Sequence, residues 1–263
     1  MFNEYLTRWA LIPDGSPIVT RSSRLLPVRR AGIAAMLKVA TELEEQRGAS
    51  LMAWWDGRGA ARVLAQEGNA ILLERATGDR SLVGLARDGC DDEASRIICQ
   101  VVGDLHAPRS KSVPDLIPLD RWFQPLHSAI VNGGIFARCA DAARELLASP
   151  RDVVVLHGDI HHENILDFGE RGWLAIDPKG LLGERGFDYA NLFCNPDAET
   201  ALARCRFGRR VAMVTQAAAL ERRRLLQWIM AWAGLSALWL LEDGISADFR
   251  LEMAEMTSAH LDP

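Results

Sequence analysis

The sequence predicts an α+β fold in two lobes: a small antiparallel β-sheet lobe with one helix, over residues 1–76, and a larger, mainly helical lobe over residues 77–263. Three observations carry that expectation. Short apolar runs broken by turn residues fill the first 76 positions, helical periodicity replaces them beyond Gly78, and one β-hairpin is embedded among the helices between residues 165 and 176. At 263 residues the chain is long enough to bury a sizeable core.

Taken in order, "RWALIPDGSPIVT" and "SSRLLPVRRAG" read as strands, with a turn at Asp14-Gly15, and "AAMLKVA" is a further strand carrying Lys38 near its end. "TELEEQRGASLMAWWDG" follows as a helix with Leu51, Trp54 and Trp55 on its apolar side and Gly57 as its stop. "ARVLAQEG" and "AILLERATG" add two strands around a turn at Gly68-Asn69. Beyond them, "DEASRIICQVVGDLH" has apolar residues at 97, 98, 101, 102 and 105, a helical stripe, and "APRSKSVPDLIP" is a proline-rich loop. "DRWFQPLHSAIVNGG" and "IFARCADAARELLASP" supply more helix. "ILDF" and "WLAI", joined by a turn at 169–172, form the hairpin, and helices fill most of the remainder.

Composition narrows the function. With 49% apolar and 25% charged residues the chain is an ordinary globular protein, and a net charge of −5 speaks against nucleic acid as the main partner. The same mild acidity suits a cationic small molecule. Cysteines at 90, 99, 139, 194 and 205 are odd in number and show no CxxC pairing, so reduced thiols in a cytoplasmic protein are expected. No secretory leader is legible in "MFNEYLTRWA". The apolar run 225–241 is short for a membrane span, and Trp228, Trp232 and Trp239 share one helical face, so a buried core helix is expected there. A monomer that binds neither membrane nor nucleic acid is the resulting picture.

The chemistry concentrates in "VVVLHGDIHHENILDF", residues 153–168. His157, Asp159 and Asn164 form H-x-D-x-x-x-x-N, the spacing of a kinase catalytic loop, and Asp177 ends the strand that follows. Such a loop needs an aspartate beside the acceptor hydroxyl to orient it and take its proton. It also needs an asparagine and a second aspartate to hold Mg²⁺ against the nucleotide phosphates. The hairpin brings Asn164 and Asp177 side by side for that purpose. The order strand lysine, acid-bearing helix, catalytic loop and strand-terminal aspartate is a kinase order, so the predicted fold is protein-kinase-like. The rival is a metal-dependent phosphoesterase, because "HGDIHH" offers His157, Asp159, His161 and His162 as ligands. It lacks a second cluster, since no histidine follows His162 until His260.

The segments "WWDGRGAARVL", "LLERA", "LHAPRS" and above all "LHGDIHHENILDFGERGWLAIDPKGLLGERGFDYANLF" resemble the aminoglycoside phosphotransferases. Within them they look like the streptomycin 6-phosphotransferase branch of the aminoglycoside/hydroxyurea antibiotic-resistance kinases, and the likeness runs from about residue 5 to 241. It implies an ATP- and Mg²⁺-dependent kinase acting on the 6-hydroxyl of streptomycin, with hydroxyurea or another small hydroxyl compound as the alternative acceptor. Residue by residue, it makes Asp159 the catalytic base and Asn164 and Asp177 the Mg²⁺ ligands. Lys38 becomes the phosphate-pairing lysine, held by Glu45, or else by Glu44 or Glu42, while the backbone of Glu74 and Ala76 becomes the adenine-binding connector.

Two departures mark a small-molecule kinase. The position two residues after Asp159, a lysine in protein kinases, is His161, which is expected to approach the phosphates in its place; and Asp-Phe-Gly is replaced by Asp177-Pro178-Lys179-Gly180. No glycine-rich loop precedes Lys38, so "TRSSR", with Ser22 and Ser23, is expected to cover the phosphates. A guanidinium-bearing acceptor calls for carboxylates, and Glu184, Asp188, Glu242 and Asp243 are the candidates, Asp188 having a loop-bracing role as its alternative. Of the tryptophans, Trp232 and Trp239 are expected mainly in the core. His157 is expected to brace the loop and His162 to pack.

Overall fold

In the computed structural model, residues 2–128 and 133–261 are described, and the last part of the helix expected over 120–134 lies outside them at 129–132. The chain opens with α1 (Asn3–Arg8), β1 (Leu11–Pro13), β2 (Ile18–Val19), β3 (Ser23–Arg30) and β4 (Ile33–Ala40). Then come α2 (Leu43–Trp55), β5 (Val63–Glu67) and β6 (Ala70–Glu74). The strands make one antiparallel sheet in the order β1-β3-β4-β6-β5, with β2 on the edge of β3.

Helix α1 was not legible in the strand-like texture of the N-terminus. It lies over the sheet because Phe2, Tyr5, Leu6 and Trp9 pack on the cluster of Leu26, Val28, Leu37 and Leu72, and Tyr5 Oη donates to Asn69 Oδ1 (3.0 Å). Its stabilisation is tertiary, since six residues are too few for a helix to stand alone. Helix α2 ends one residue earlier than Gly57 implied: Asp56 itself takes the left-handed conformation that closes it (φ 54°).

The second lobe contains α3 (Leu82–Arg87), α4 (Asp91–His106), β7 (Ile117–Pro118), α5 (Leu119–Trp122), α6 (Gln124–Ser128) and α7 (Gly134–Ala148). Next come β8 (Val153–Leu156), β9 (Ile165–Asp167), β10 (Trp173–Ala175) and β11 (Leu181–Glu184). The chain closes with α8 (Ala198–Ala201), α9 (Arg204–Ala217), α10 (Arg222–Glu242) and α11 (Asp248–Leu261). Helix α4 starts on Asp91, Asp92 and Glu93, the sign of charge a helix N-terminus favours, and buries Ile98, Val101, Val102 and Leu105. Helix α10 is the axis of the lobe: residues 224–237 are buried throughout, packed by α7 and α11. Its tryptophans are mostly core, as the spacing implied.

Strands β9 and β10 pair antiparallel as the expected hairpin, Leu166 opposite Leu174. A second small sheet, β7-β11-β8, was not anticipated, because β7 and β8 come together only through β11. Together these two sheets hold the ends of the loops 157–164 and 177–180 against each other. Two single turns of 3-10 helix, Arg185–Tyr189 and Asn191–Cys194, underlie them where regular helix was expected.

Candidate active site

The loop after β8 is fixed before any ligand is considered. Asp188 is buried, and its two carboxylate oxygens accept the backbone N–H groups of His157 (2.9 Å) and Gly158 (2.7 Å). His106, at the end of α4, donates from Nε2 to the same carboxylate (2.8 Å). Gly158 is left-handed (φ +87°) and a Cβ there would stand 2.8 Å from Leu181, so the loop can turn this tightly only at glycine.

His157 is fully buried, and burial pushes its imidazole below the usual histidine range. Its neutral tautomer follows from the hydrogen bonds: Nε2 donates to the carbonyl of Ile176 (2.8 Å) and Nδ1 accepts the N–H of Asp159 (3.2 Å). It braces the loop, and it is neither a metal ligand nor a titrating base.

Asp159 is half-buried and its carboxylate is held from both sides. Asn191 Nδ2 donates to Oδ1 at 2.9 Å; Asn164 Nδ2 lies 3.3 Å from Oδ2 and donates to the Asp159 carbonyl at 2.8 Å. Asn164 and Asp177 are adjacent because the Ile176 N–H donates to the Asn164 carbonyl (2.9 Å) across the hairpin. Asp177 sits at φ 62°, a conformation a non-glycine residue holds only when its surroundings impose it.

Lys38 joins the two lobes here. Its ammonium pairs with Glu45 of α2 on one side and with Asp177 on the other. Burial alone would raise the Asp177 carboxyl; the Lys38 charge and hydrogen bond, aided by Lys179, overcome this and hold it below the usual carboxylate value. Of the three helix acids considered, the structure gives Glu45 to Lys38, Glu44 to Lys179 (2.9 Å) and leaves Glu42 at the helix N-cap. Lys179 is opposed by burial, but Glu44 and the fields of Asp159 and Asp177 more than offset this and raise its pKa above the ordinary lysine value.

Two cavities flank this cluster. One, about 350 Å³, has an apolar body formed by Leu25, Met36, Ile71 and Leu73 above and Leu166, Phe168 and Ile176 below. Its polar end holds Lys38, Glu45 and Asp177, and Glu74 and Ala76 lie at its back. A flat apolar slot leading to a cation is the shape a nucleotide base and its phosphates require. Ser23 lines this cavity, but the hydroxyls of "TRSSR" are turned inward. Ser22 Oγ donates to Glu45 (2.5 Å), and Ser23 Oγ is hydrogen-bonded to Thr20 (2.9 Å). The Glu74 backbone N–H is taken by the Arg62 carbonyl (2.9 Å), and its carboxylate pairs with Arg171, which pins the connector to the hairpin.

The second cavity, about 530 Å³, is lined by the acids Glu44, Glu242 and Asp243, the cations Arg21, Arg121 and Lys179, and the rings of Trp122 and Trp239, among others. Arg21, from the turn before β3, reaches across to Asp243 (2.5 and 3.1 Å). Glu242 and Asp243 are both exposed on the wall of this cavity.

Glu184 and Asp188 do not. Glu184 is buried and satisfied by four donors, Arg224 Nε and Nη2 (2.6 Å each), Trp228 Nε1 (3.0 Å) and the Arg151 N–H (3.0 Å), while Asp188 is spent on the catalytic loop. A buried carboxylate with its oxygens filled by protein donors has none left for a ligand, whereas Asp243 is exposed and shares its oxygens with Arg21 alone.

His161 is the other correction. Its Nδ1 accepts the Glu163 N–H (3.2 Å), folding the ring onto its own loop, and it is not among the residues lining either cavity. His162 is buried with neither ring nitrogen hydrogen-bonded. The phosphoesterase reading fails with them: among the described residues no three His, Cys, Asp or Glu side chains gather as a metal cage.

Sequence reasoning gave no part to Asn191, His106, Arg21 or Lys179. Asn191 lies in the quoted "FDYANLF" and Lys179 in the quoted "DPKG", so both were in view without a role; the other two act through pairings more than 80 residues apart.

Known proteins resemble this chain throughout. It is 52% identical over 244 residues to the streptomycin 3''-kinase of Klebsiella pneumoniae, covering 91% of this chain and 92% of that one. It is 32% identical to the streptomycin 6-kinase of Streptomyces griseus, with 91% and 82% covered. Among solved structures, an aminoglycoside phosphotransferase in ternary complex with AMP-PNP and hygromycin B superposes with a TM-score of 0.68 at 13% identity, over 99% of this chain and 98% of that one. It has the same bilobal, protein-kinase-like fold. The sequence profile of the aminoglycoside/hydroxyurea antibiotic resistance kinases matches residues 8–244, and the chain belongs to that family.

Proposed function

We propose that the protein transfers the γ-phosphate of ATP to a hydroxyl of streptomycin. The observation that carries this reading is Asp159, held by the amides of Asn191 and Asn164, with Asn164 tied across the hairpin next to Asp177 at the polar end of the nucleotide-sized cavity. The 52% identity to a streptomycin 3''-kinase favours the 3''-hydroxyl over the 6-hydroxyl that the sequence motifs alone led us to expect.

Phosphoryl transfer asks little covalent chemistry of a protein, so positioning and charge neutralisation supply the acceleration. The apolar slot receives the adenine, with the Glu74 to Ala76 connector along its edge, and Lys38 meets the α and β phosphates. Asn164 and Asp177 would hold Mg²⁺: an amide oxygen and a carboxylate are the hard donors that ion takes, with phosphate oxygens completing its shell. An ion held there would supply charge neutralisation for the nucleotide phosphates. Asp159 orients the acceptor hydroxyl and accepts its proton. Glu242 and Asp243 receive the cationic groups of the acceptor, with Trp239 on the cavity wall.

The experiment is transfer from γ-labelled ATP with Mg²⁺ to a panel of streptomycin, other aminoglycosides and hydroxyurea, with the phosphorylated position located by NMR. A 3''-phosphate on streptomycin is expected, and D159A is expected to lower kcat by orders of magnitude while still binding ATP. Transfer to the 6-hydroxyl would overturn the positional assignment; no transfer to streptomycin would overturn the acceptor.

A further inference from the structure

We propose that Lys179 is a catalytic residue, supplying positive charge to the transferring phosphoryl group from the acceptor side in place of the lysine missing two residues after Asp159. This rests on the phosphoryl-transfer reading above.

The placement of Lys179 is fixed by the catalytic loop. Its backbone N–H donates to the His157 carbonyl at 2.7 Å, and its Cβ lies so close to Gly158 that a Cβ added there would stand 3.0 Å away. Lys179 is thus tied to the two residues that precede Asp159. Asp177 and Pro178 line the nucleotide cavity while Lys179 lines the acceptor cavity, so this short segment is part of the wall between them. A phosphoryl group passing from one cavity to the other passes this segment.

Charge balance gives the ammonium its task. Asp159, Asp177, Glu44 and Glu45 surround the transfer point, and Asp159 and Asp177 both act on Lys179 electrostatically. Lys38 is already committed to Glu45 and Asp177. Without Lys179, four carboxylates would face an incoming triphosphate with Lys38 and the nucleotide's Mg²⁺ as the cations set against them, and both of these lie on the nucleotide side. Its ligand-free partner is Glu44, which is itself 42% exposed, so the ammonium can turn from Glu44 to a phosphate oxygen. His161, the residue in the sequence position of the missing lysine, is folded back onto Glu163.

The step balances without Lys179 exchanging a proton. The acceptor oxygen forms its bond to the γ-phosphorus, and the bond to the oxygen bridging the β and γ phosphates breaks, its electron pair leaving on ADP. The hydroxyl proton goes to Asp159. Lys179 stays protonated and acts on the charge carried by the non-bridging oxygens, a preorganised electrostatic contribution.

The test uses the full chain with K179M and K179R, assayed with Mg·ATP and streptomycin and, separately, for ATP hydrolysis without acceptor. K179M is expected to lower kcat by ~100-fold, the usual effect of removing one such charge donor, with KM for ATP changed less than about threefold. K179R, which keeps the charge, is expected to stand about tenfold above K179M. The rate ratio of ATP to its γ-thio analogue, which a purely structural role would leave alone, is expected to shrink in K179M. A kcat for K179M within about threefold of wild type would overturn the proposal. Equal losses in both variants with an unchanged thio ratio would also overturn it, assigning Lys179 to structure. If the wild type hydrolyses ATP but leaves streptomycin untouched, the acceptor reading fails and the same comparisons on hydrolysis decide for or against Lys179. If it does neither, both fall.

Discussion

Asn191 Nδ2 donates to Asp159 Oδ1 at 2.9 Å, although the two residues lie in different loops 32 positions apart. Asn191 is fixed in turn, its Oδ1 accepting Trp232 Nε1 (2.9 Å) and Asn195 Nδ2 (3.0 Å). The orientation of the Asp159 carboxylate is thereby anchored in the α10 core.

N191A should therefore lower kcat by ~10- to 100-fold, the scale of a misplaced catalytic group, while ATP affinity holds, because Asn191 lines neither cavity. Steady-state kinetics beside an ATP titration will separate the two. An equal loss of ATP affinity would instead place Asn191 among the nucleotide-binding groups.

The four acids singled out from sequence should divide two and two. E184A strips the partner from buried Arg224 and should cost ~3–5 kcal/mol in urea unfolding, with acceptor KM unchanged in whatever fraction stays folded. E242Q and D243N should leave unfolding alone and raise acceptor KM by ~10-fold or more each, the worth of a hydrogen bond to a charged group. Should E184A shift KM and the other pair not, the acceptor cavity has been put in the wrong place.

What was legible in the sequence was local. Asp159, Asn164 and Asp177 are set by spacing within one loop and one hairpin, so their grouping follows from residue order. Lys38 was paired with Glu45, as the structure has it, but only as the first of three helix acids, because Glu44 and Glu45 differ only by where α2 docks. Glu184 was misread for the opposite reason: nothing in "GERGFDY" announces Arg224, 40 residues on, which buries it. Asn191 and Lys179 sit inside quoted motifs, but their roles depend on which loops meet, and that is decided by the sheet β7-β11-β8.

Gly48 is a case where local propensity and tertiary contact give opposite answers. In the middle of α2, replacement by alanine would ordinarily favour the helix by roughly 0.5–1 kcal/mol. Here a Cβ would overlap the backbone carbonyl oxygen of Pro178, next to Asp177, and neither backbone can yield without moving Glu44 and Glu45 off their lysines. G48A should raise KM for ATP and lower kcat by ~10-fold or more, as displaced catalytic groups do. Kinetics and a thermal unfolding curve on the same sample will show it; wild-type kinetics with a raised transition would mean that α2 does not press on the loop at Asp177 and Pro178.

His162 should make the fold acid-sensitive from about pH 6.5 downward, starting above the range where carboxylates titrate. Burial pushes its pKa from 6.5 down to about 3, with the charge of Arg210 next in effect, and no protein group bonds either ring nitrogen. The folded state thus keeps it neutral where the unfolded chain protonates it. A depressed folded pKa means that the stabilisation is complete above pH 6.5 and is lost as pH falls from there towards about 3. Near pH 5, unfolding should take up about one proton at this residue, a slope of about 1.4 kcal/mol per pH unit. H162L, which keeps an apolar side chain of similar bulk in place, should remove that slope between pH 4 and 6 and leave the slope above pH 7.5 untouched. Urea unfolding at a series of pH values measures both directly; identical slopes in wild type and variant would mean that His162 already takes a proton in the folded protein.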